Sequence, residues 1–242
     1  MTKGGCLRLK KTFLYALRQS FPIFISFIPV GLAYGVLMQN AGYNVLWVGL
    51  TSLLVDAGSL QFLMVSFLTG SVPLVTVAVM ALLINSRHIF YGLPFIEKFR
   101  SFGPWRHFLT YYLSDETFSL HCARQGHEAE EGINEKWAYI FTTVQVVGYW
   151  LVLSMLGTWI GGLITVDMTG VDFAMTALFT VILVDQLRSA SNRLPAVAAF
   201  VSAVACLALI GAGNFILPSL AVTVAALILL RGFIEPKKEV AS

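Results

Sequence analysis

Seven apolar blocks spread along the whole chain restrict its possible folds more than any other feature. A hydrocarbon core of roughly 30 Å requires about 20 apolar residues in helical form, and backbone polar groups in lipid must be satisfied within the segment. Only 12% of the residues are charged, whereas soluble domains carry about 25%. We therefore predict an all-α, polytopic integral membrane protein. The blocks comprise residues 21–38, 45–68, 72–84, 137–160, 173–184, 195–210 and 215–230.

Basic residues at both ends of the chain predict its orientation. The N-terminal tail has five basic and no acidic residues, and the C-terminal tail is also basic, so the positive-inside rule places both in the cytoplasm. Two cytoplasmic tails require an even number of crossings. If residues 107–122 cross, there are eight spans. If they do not, and one segment within residues 43–91 is re-entrant, there are six, and the sequence leaves both open.

The composition predicts a single transmembrane helical domain over residues 20–231, with cytoplasmic tails at 1–19 and 232–242. The net charge of +3 lies in tails and loops, so it reflects orientation rather than a nucleic-acid partner. The widely spaced Cys6, Cys122 and Cys206 contain no CxxC pair, and we expect neither a disulfide framework nor a metal site or cofactor. Sequence motifs of hydrolases, zinc peptidases and P-loop enzymes are missing, so we predict a protein that is not an enzyme.

Several blocks contain residues that commonly interrupt membrane helices. We predict helix breaks at Pro29 and Gly31 in the first block and at Gly58 in the second, and a third near residues 85–88. Interrupted helices at mid-membrane depth hold solutes and ions in many transporters. The alternative is close helix packing or a simple kink, which small residues and proline also provide.

A carboxylate lies near the middle of the second block. Asp56 is accompanied there by Ser59 and Gln61, and an acidic residue at the centre of a span costs about 2.5 to 3.5 kcal/mol on insertion scales. We predict that Asp56 faces a wet cavity, either paired with a cation or protonated. An inert hydrogen bond between helices is the alternative.

A second group of charges surrounds the polar segment at residues 107–122. Asp115 and Glu116 lie within this segment. Arg87 and His88, preceded by Asn85, end the third apolar block. We predict that the carboxylates pair with these cations, and that His88 could titrate near physiological pH. The alternative is an ion cluster at the membrane interface that only orients the chain.

Four patches in a fixed order resemble one family. Together they resemble the AzlC family, the large subunit of branched-chain amino acid exporters, which includes YgaZ-like and BrnF-like proteins. The likeness extends over nearly the whole chain. The patches are PVGLAYG at 29–35, AGSLQF at 57–62, RHIFYG at 87–92 and SDETF at 114–118.

The resemblance implies a bacterial inner-membrane exporter of valine, leucine and isoleucine and, in some members, methionine. It also implies a small AzlD-type membrane subunit as partner and the proton motive force as driving force. Two alternatives remain open: an accessory subunit whose partner carries the transport site, and a transporter of another small zwitterionic or organic solute.

The predicted residues suggest a mechanism for such an exporter. Backbone N–H groups at the broken helices and Arg87 would hold the substrate carboxylate, and Asp115 or Glu116 would accept its ammonium group. Protonation of Asp56, Asp115 or Glu116 would bias alternating access.

Overall fold

A computed structural model describes residues 3–70, 72–125, 132–163, 180, 184, 193–211 and 216–234. These residues form helices joined by short turns, without a β-strand among them, which confirms the all-α prediction. The helices are α1 Lys3–Asn40, α2 Val45–Leu54, α3 Gly58–Thr69, α4 Leu74–Tyr91, a 3₁₀ turn Leu93–Phe95, α5 Ile96–Arg100, α6 Trp105–Tyr111, α7 Asp115–Gln125, α8 Glu135–Leu163, α9 Arg193–Ile210 and α10 Ile216–Ile234.

The chain divides into two compact units, Met1–Asp167 and Met168–Ser242. In the first unit α1 lies along α8, and α2 also packs on α8. In the second unit α9 packs against α10. The predicted single domain over 20–231 stays a prediction. Apart from residues 180 and 184, the apolar block at 173–184 lies outside the described residues, and so does the C-terminal tail beyond residue 234.

Among the described residues, three helical segments are long and apolar enough to cross a membrane: Arg8–Asn40, Leu74–Arg100 and Glu135–Leu163. Shorter apolar helices accompany them, including both α2 and α3. The first span and the basic tail predicted at residues 1–19 share one helix, because α1 begins at Lys3. The choice between six and eight crossings stays a prediction.

The predicted break at Pro29 and Gly31 is wrong. Helix α1 continues through Pro22 and Pro29, because a proline removes one backbone N–H while the rest of the helix can be held by a neighbour. That neighbour is α8. A Cβ added at Gly31 would lie 2.9 Å from the Cβ of Leu153, so Gly31 is a site of close packing.

The second apolar block is interrupted where the sequence predicts a break. The side chain of Asn44 caps the start of α2 by accepting hydrogen bonds from two backbone N–H groups, those of Leu46 and Trp47. Helix α2 then ends at Leu54, residues 55–57 are not helical, and α3 starts at Gly58. Asp56 therefore lies in the non-helical link between two half-helices.

The third block is helical throughout the region predicted to break. Helix α4 continues through Asn85, Arg87 and His88 and ends only at Tyr91, so the predicted break at residues 85–88 is wrong. The chain leaves α4 at Gly92, before a 3₁₀ turn that contains a proline, a residue without a backbone N–H. The following segment packs into a buried cluster formed by Phe95, Phe99, Phe102, Leu109, Leu113, Tyr139 and Ile140.

A second interruption separates α6 from α7. Helix α6 ends at Tyr111, and α7 begins at Asp115. The hydroxyl oxygen of Ser114 accepts a hydrogen bond of 3.4 Å from the backbone N–H of Thr117, which is the usual role of serine before a helix. The segment predicted to decide the crossing number thus consists of two short helices with a break between them.

Candidate functional site

The two helix interruptions contact each other. The hydroxyl of Tyr111 donates a hydrogen bond of 2.6 Å to the backbone oxygen of Leu54, and the hydroxyl of Tyr112 donates one of 3.2 Å to that of Leu53. Both acceptors belong to the last turn of α2, whose carbonyl groups have no partner within the helix. The tyrosines at the end of α6 therefore donate hydrogen bonds to the last carbonyl groups of α2.

Gln61 completes the capping of α2 from the other side of the break. Its side-chain amide donates to the backbone oxygen of Val55, and its side-chain oxygen accepts a hydrogen bond of 2.7 Å from Nε1 of Trp150 on α8. Gln61 is fully buried. Its polar atoms are thus already hydrogen-bonded within the protein. This residue, predicted to bind substrate or couple transport, stabilises the interruption.

A small cavity of about 30 Å³ lies beside the two breaks. The carboxylates of Asp56 and Glu116 both line it, and the Oδ2 atom of Asp56 is buried without a hydrogen-bond partner among the described residues. A volume of this size holds about two water molecules. The other lining residues are Phe27, Ala57, Gly58, Ser114, Val146 and Trp150.

Next to this cavity, Arg87 connects α4 to the first turns of α3 and α7. Its Nη2 atom lies 2.8 Å from Oδ2 of Asp115, with both side chains 41% exposed. The same nitrogen donates a hydrogen bond of 3.1 Å to the hydroxyl of Ser59 on α3. The hydroxyl of Tyr91 donates to Oδ1 of Asp115. The predicted pairing of Arg87 with an acidic residue is therefore present, and it occupies Asp115.

The other predicted polar residues of α4 lie differently. Nδ1 of His88 is 3.2 Å from the backbone oxygen of Asn85, and its ring lies edge-on to Tyr91 with the centroids 5.4 Å apart. This histidine does not form an ion pair with a carboxylate in the described part of the chain. The side-chain oxygen of Asn85 is buried, and it has no hydrogen-bond partner among the same residues.

The charges and helix ends around the cavity are complementary to a zwitterion. Asp56 and Glu116 line it, and Arg87 beside it is already paired with Asp115. Helices α3 and α7 both begin at this cavity, and helix N-termini carry a partial positive charge. No side chain caps α3 at Ala57. A cationic group and an anionic group can thus find different partners in one site.

Sequence reasoning missed the residues that complete this site from other helices. Trp150 and Phe27 supply its apolar wall, and their rings contact each other edge to face with centroids 5.2 Å apart. The position of Trp150 carries a signal, because tryptophan is enriched at the ends of spans and Trp150 lies near the middle of its block. Phe27 carries no such signal in an apolar run.

Comparison with known proteins identifies a family. The family model described as AzlC protein matches residues 22–164. The branched-chain amino acid transport protein AzlC of Bacillus subtilis (strain 168) is 30% identical over 223 residues, covering 92% of this chain and 87% of that protein. An uncharacterized membrane protein of Helicobacter pylori (strain 26695) is 32% identical, over 92% of this chain and 98% of its own length.

A shorter match involves the inner membrane protein YgaZ of Escherichia coli (strain K12), which is 32% identical over 81 residues, 34% of this chain and 33% of that protein. No solved structure matches the chain. The family model covers the interrupted helices and the cavity between them, and the full-length relatives extend over nearly the whole sequence. The chain therefore belongs to the AzlC family.

Proposed function

We propose that this chain is the large subunit of a bacterial inner-membrane exporter of branched-chain amino acids, with both termini in the cytoplasm. Its substrates are valine, leucine, isoleucine and methionine, and it works with a small AzlD-type membrane subunit. It acts as a transporter rather than an enzyme. The observation that carries the proposal is the meeting of two interrupted helices at one cavity lined by Asp56 and Glu116.

The substrate ammonium group binds between the carboxylates of Asp56 and Glu116. Of the acidic residues named from sequence, Asp115 is less suited to this role because Arg87 and Tyr91 already occupy its oxygens. The substrate carboxylate binds the uncapped N–H groups at the start of α3, as anions do at other helix N-termini. Arg87 positions that turn through Ser59.

The aliphatic side chain of the substrate lies against the apolar wall of the cavity, formed by Phe27, Val146 and Trp150. A pocket of this kind discriminates weakly between neighbouring aliphatic chains, since one methylene is worth only about 1 to 3 kcal/mol. Overlapping transport of valine, leucine, isoleucine and methionine follows from this chemistry.

Transport requires the cavity to open. Its present volume of about 30 Å³ is far below the roughly 300 to 1,000 Å³ of pockets that enclose small-molecule ligands. The cavity is therefore too small for a branched-chain amino acid and must widen to admit one. Movement of the half-helices against α1 and α8 would admit the substrate from one side of the membrane at a time.

A proton is the coupling ion that suits this site best. Sodium sites in transporters commonly use carbonyl oxygens of unwound helix ends, and the terminal carbonyl groups of α2 are already capped by Tyr111, Tyr112 and Gln61. The carboxyl groups of Asp56 and Glu116 can each hold a proton without further ligands. Proton entry would release the substrate ammonium and favour export.

Leucine efflux from cells tests the assignment of the two carboxylates. The chain is co-expressed with its small partner in an exporter-deficient strain loaded with a leucine-containing dipeptide, and efflux is compared for wild type, Asp56→Asn and Glu116→Gln. Losing a hydrogen bond to a charged group costs about 1.5 to 3 kcal/mol, so we expect at least about tenfold slower efflux. Glu97→Gln, which removes an exposed carboxylate in α5 away from the cavity, is the matched control with unchanged efflux.

Several outcomes would contradict parts of the proposal. If Asp56→Asn and Glu116→Gln both export leucine at the wild-type rate, these residues are not part of the mechanism. Efflux that follows a sodium gradient and resists a protonophore would replace the proton as coupling ion. If the purified small subunit alone transports leucine in vesicles, this chain is an accessory subunit. Efflux of a different zwitterion with leucine unaffected would replace the substrate class.

A further inference from the structure

A second, larger concave surface lies away from the cavity, and the proposed transport does not use it. This groove of about 800 Å³ lies between the α4–α5 segment and α6. One part is apolar and includes Leu93, Ile96 and Phe99, whereas the other carries Arg100, Arg106 and His107. None of the described residues that line the groove is acidic. It thus combines a strip of hydrocarbon contact with a cluster of basic side chains at one end.

The basic end of the groove lies where a membrane-spanning segment ends. Arg100 is the last residue of the span Leu74–Arg100. Close to it in the chain, Trp105 at the start of α6 contacts Trp137 near the start of the span Glu135–Leu163, with the ring centroids 5.7 Å apart. Tryptophans at the ends of spans mark the level of the lipid headgroups. The basic cluster therefore lies at the ends of two candidate spans, where lipid headgroups are expected.

The arginines in the groove are not committed to ion pairs within the described residues. The neighbouring Lys98 pairs with Glu135, whereas Arg106 donates only to another groove residue, through a bond of 3.2 Å from its Nε to Nε2 of His107. Arg100 and Arg106 are both exposed. Basic pockets at the ends of membrane helices bind anionic headgroups, and arginine binds phosphate through two parallel hydrogen bonds.

We propose that this groove binds one anionic phospholipid, with its phosphate between Arg100 and Arg106 and one acyl chain along Leu93, Ile96 and Ile89. Ile89 near the end of α4, and Leu93 and Ile96 beyond the turn at Gly92, form the apolar part of the groove and offer contact to an acyl chain. Charge complementarity selects this occupant over a zwitterionic lipid. The groove also includes Tyr111, whose hydroxyl caps the end of α2, so the lipid contacts a residue that holds the transport site.

Lipid titration followed by native mass spectrometry tests the proposal on the full chain in detergent. The probes are dioleoyl phosphatidylglycerol and, for comparison, dioleoyl phosphatidylcholine. We expect wild type to bind one phosphatidylglycerol tightly. Arg100→Gln/Arg106→Gln removes two surface charges and should weaken that binding about 30-fold. Arg8→Gln/Arg18→Gln removes the same charge from exposed positions on α1 and should leave the affinity unchanged.

A second variant separates the groove from general electrostatic attraction. Leu93→Trp/Ile96→Trp keeps every charge but fills the apolar part, where both side chains are 58% exposed and have room to enlarge. It should also lose the bound phosphatidylglycerol. Equal affinity of the wild type for the two lipids would overturn the proposal. So would an equal loss in the α1 control, or the failure of the wild-type chain to bind phosphatidylglycerol.

Discussion

Within the first unit, α1 and α8 are continuous helices, whereas the chain is interrupted between α2 and α3 and between α6 and α7. Helix α1 contains two prolines and remains unbroken, whereas residues 55–57 contain no proline and are not helical. The difference lies in what surrounds each segment. Along α1 a neighbouring helix approaches within backbone contact. At the break, side chains of α6 and α3 instead bind the carbonyl groups of Leu54 and Val55.

This contrast shows what determines a helix break in this membrane protein. A break in lipid is tolerated only where the exposed backbone groups find partners. Tyr111, Tyr112 and Gln61 provide those partners for the end of α2. The α1–α8 contact instead leaves no room for a side chain at Gly35 and Gly157, and Ser20 adds a hydrogen bond of 3.0 Å to Gln145 between the two helices. We therefore regard α1–α8 as the scaffold and the interruptions as the adaptable part.

The largest effect is expected from adding a methyl group to the scaffold. A Cβ at Gly35 would lie 2.1 Å from the backbone oxygen of Ser154, and one at Gly157 would lie 2.3 Å from that of Leu32. Overpacking costs about 1 to 3 kcal/mol and occasionally more, and here the obstacle is backbone that no side-chain rotation can relieve. We expect Gly35→Ala and Gly157→Ala to lower the melting temperature in detergent strongly and to reduce the yield of monodisperse protein.

The matched control is Gly148, which lies on α8 like Gly157. Nothing lies within 4 Å of a Cβ added at Gly148, so Gly148→Ala should be neutral or stabilising, since alanine favours a helix over glycine by about 1 kcal/mol. If Gly35→Ala melts at the same temperature as Gly148→Ala, the close approach of α1 and α8 is wrong, and the scaffold loses its basis.

A smaller effect is expected from removing a cap at the interruption. Gln61→Leu leaves the backbone oxygen of Val55 and the indole N–H of Trp150 without their partner. Each unsatisfied buried group costs about 1 to 3 kcal/mol but leaves the helices in place, whereas the glycine variants meet backbone atoms and must push α1 and α8 apart. The melting temperature should therefore fall by less than in the glycine variants, and leucine efflux should fall with it. Gln39→Leu on α1, whose side chain has no hydrogen bond in the described structure, controls for the change of residue type.

A double-mutant cycle sharpens this second prediction. Trp150→Phe removes the N–H that Gln61 binds, so the combined variant should be more stable than the sum of the two single losses predicts. Strict additivity of the two losses would show that the side chains of Gln61 and Trp150 do not interact across the break.

How far the sequence predicts this structure depends on whether the physical cause is local. Asp56 could be recognised because a single carboxylate in an apolar run is expected to face a polar environment, and in the structure it lines the small cavity beside the two breaks. The pairing of Arg87 with Asp115 followed from charge alone. The effect of Pro29 could not be predicted, because it depends on the neighbouring helix. Trp150 and Gln61 are 89 positions apart, and no local pattern links them.

The smallest effect distinguishes the two tyrosines that cap α2. A neutral hydrogen bond contributes about 0.5 to 1.5 kcal/mol, and the bond of Tyr111 to Leu54 is 2.6 Å long, whereas that of Tyr112 to Leu53 is 3.2 Å. We expect both phenylalanine variants to raise amide hydrogen exchange in α3, whose start depends on the break, with the larger increase for Tyr111→Phe. Tyr43→Phe, which lies before α2, should leave that exchange unchanged.

Exchange confined to α3 in Tyr111→Phe, with α1 and α8 still protected, would show that the interruption moves independently of the scaffold. Equal loosening of α1 and α8 would show the opposite, that break and scaffold form one cooperative unit. In that case the small cavity could not open by movement of the half-helices alone. Alternating access would then require α1 and α8 to separate, which their glycine contacts oppose.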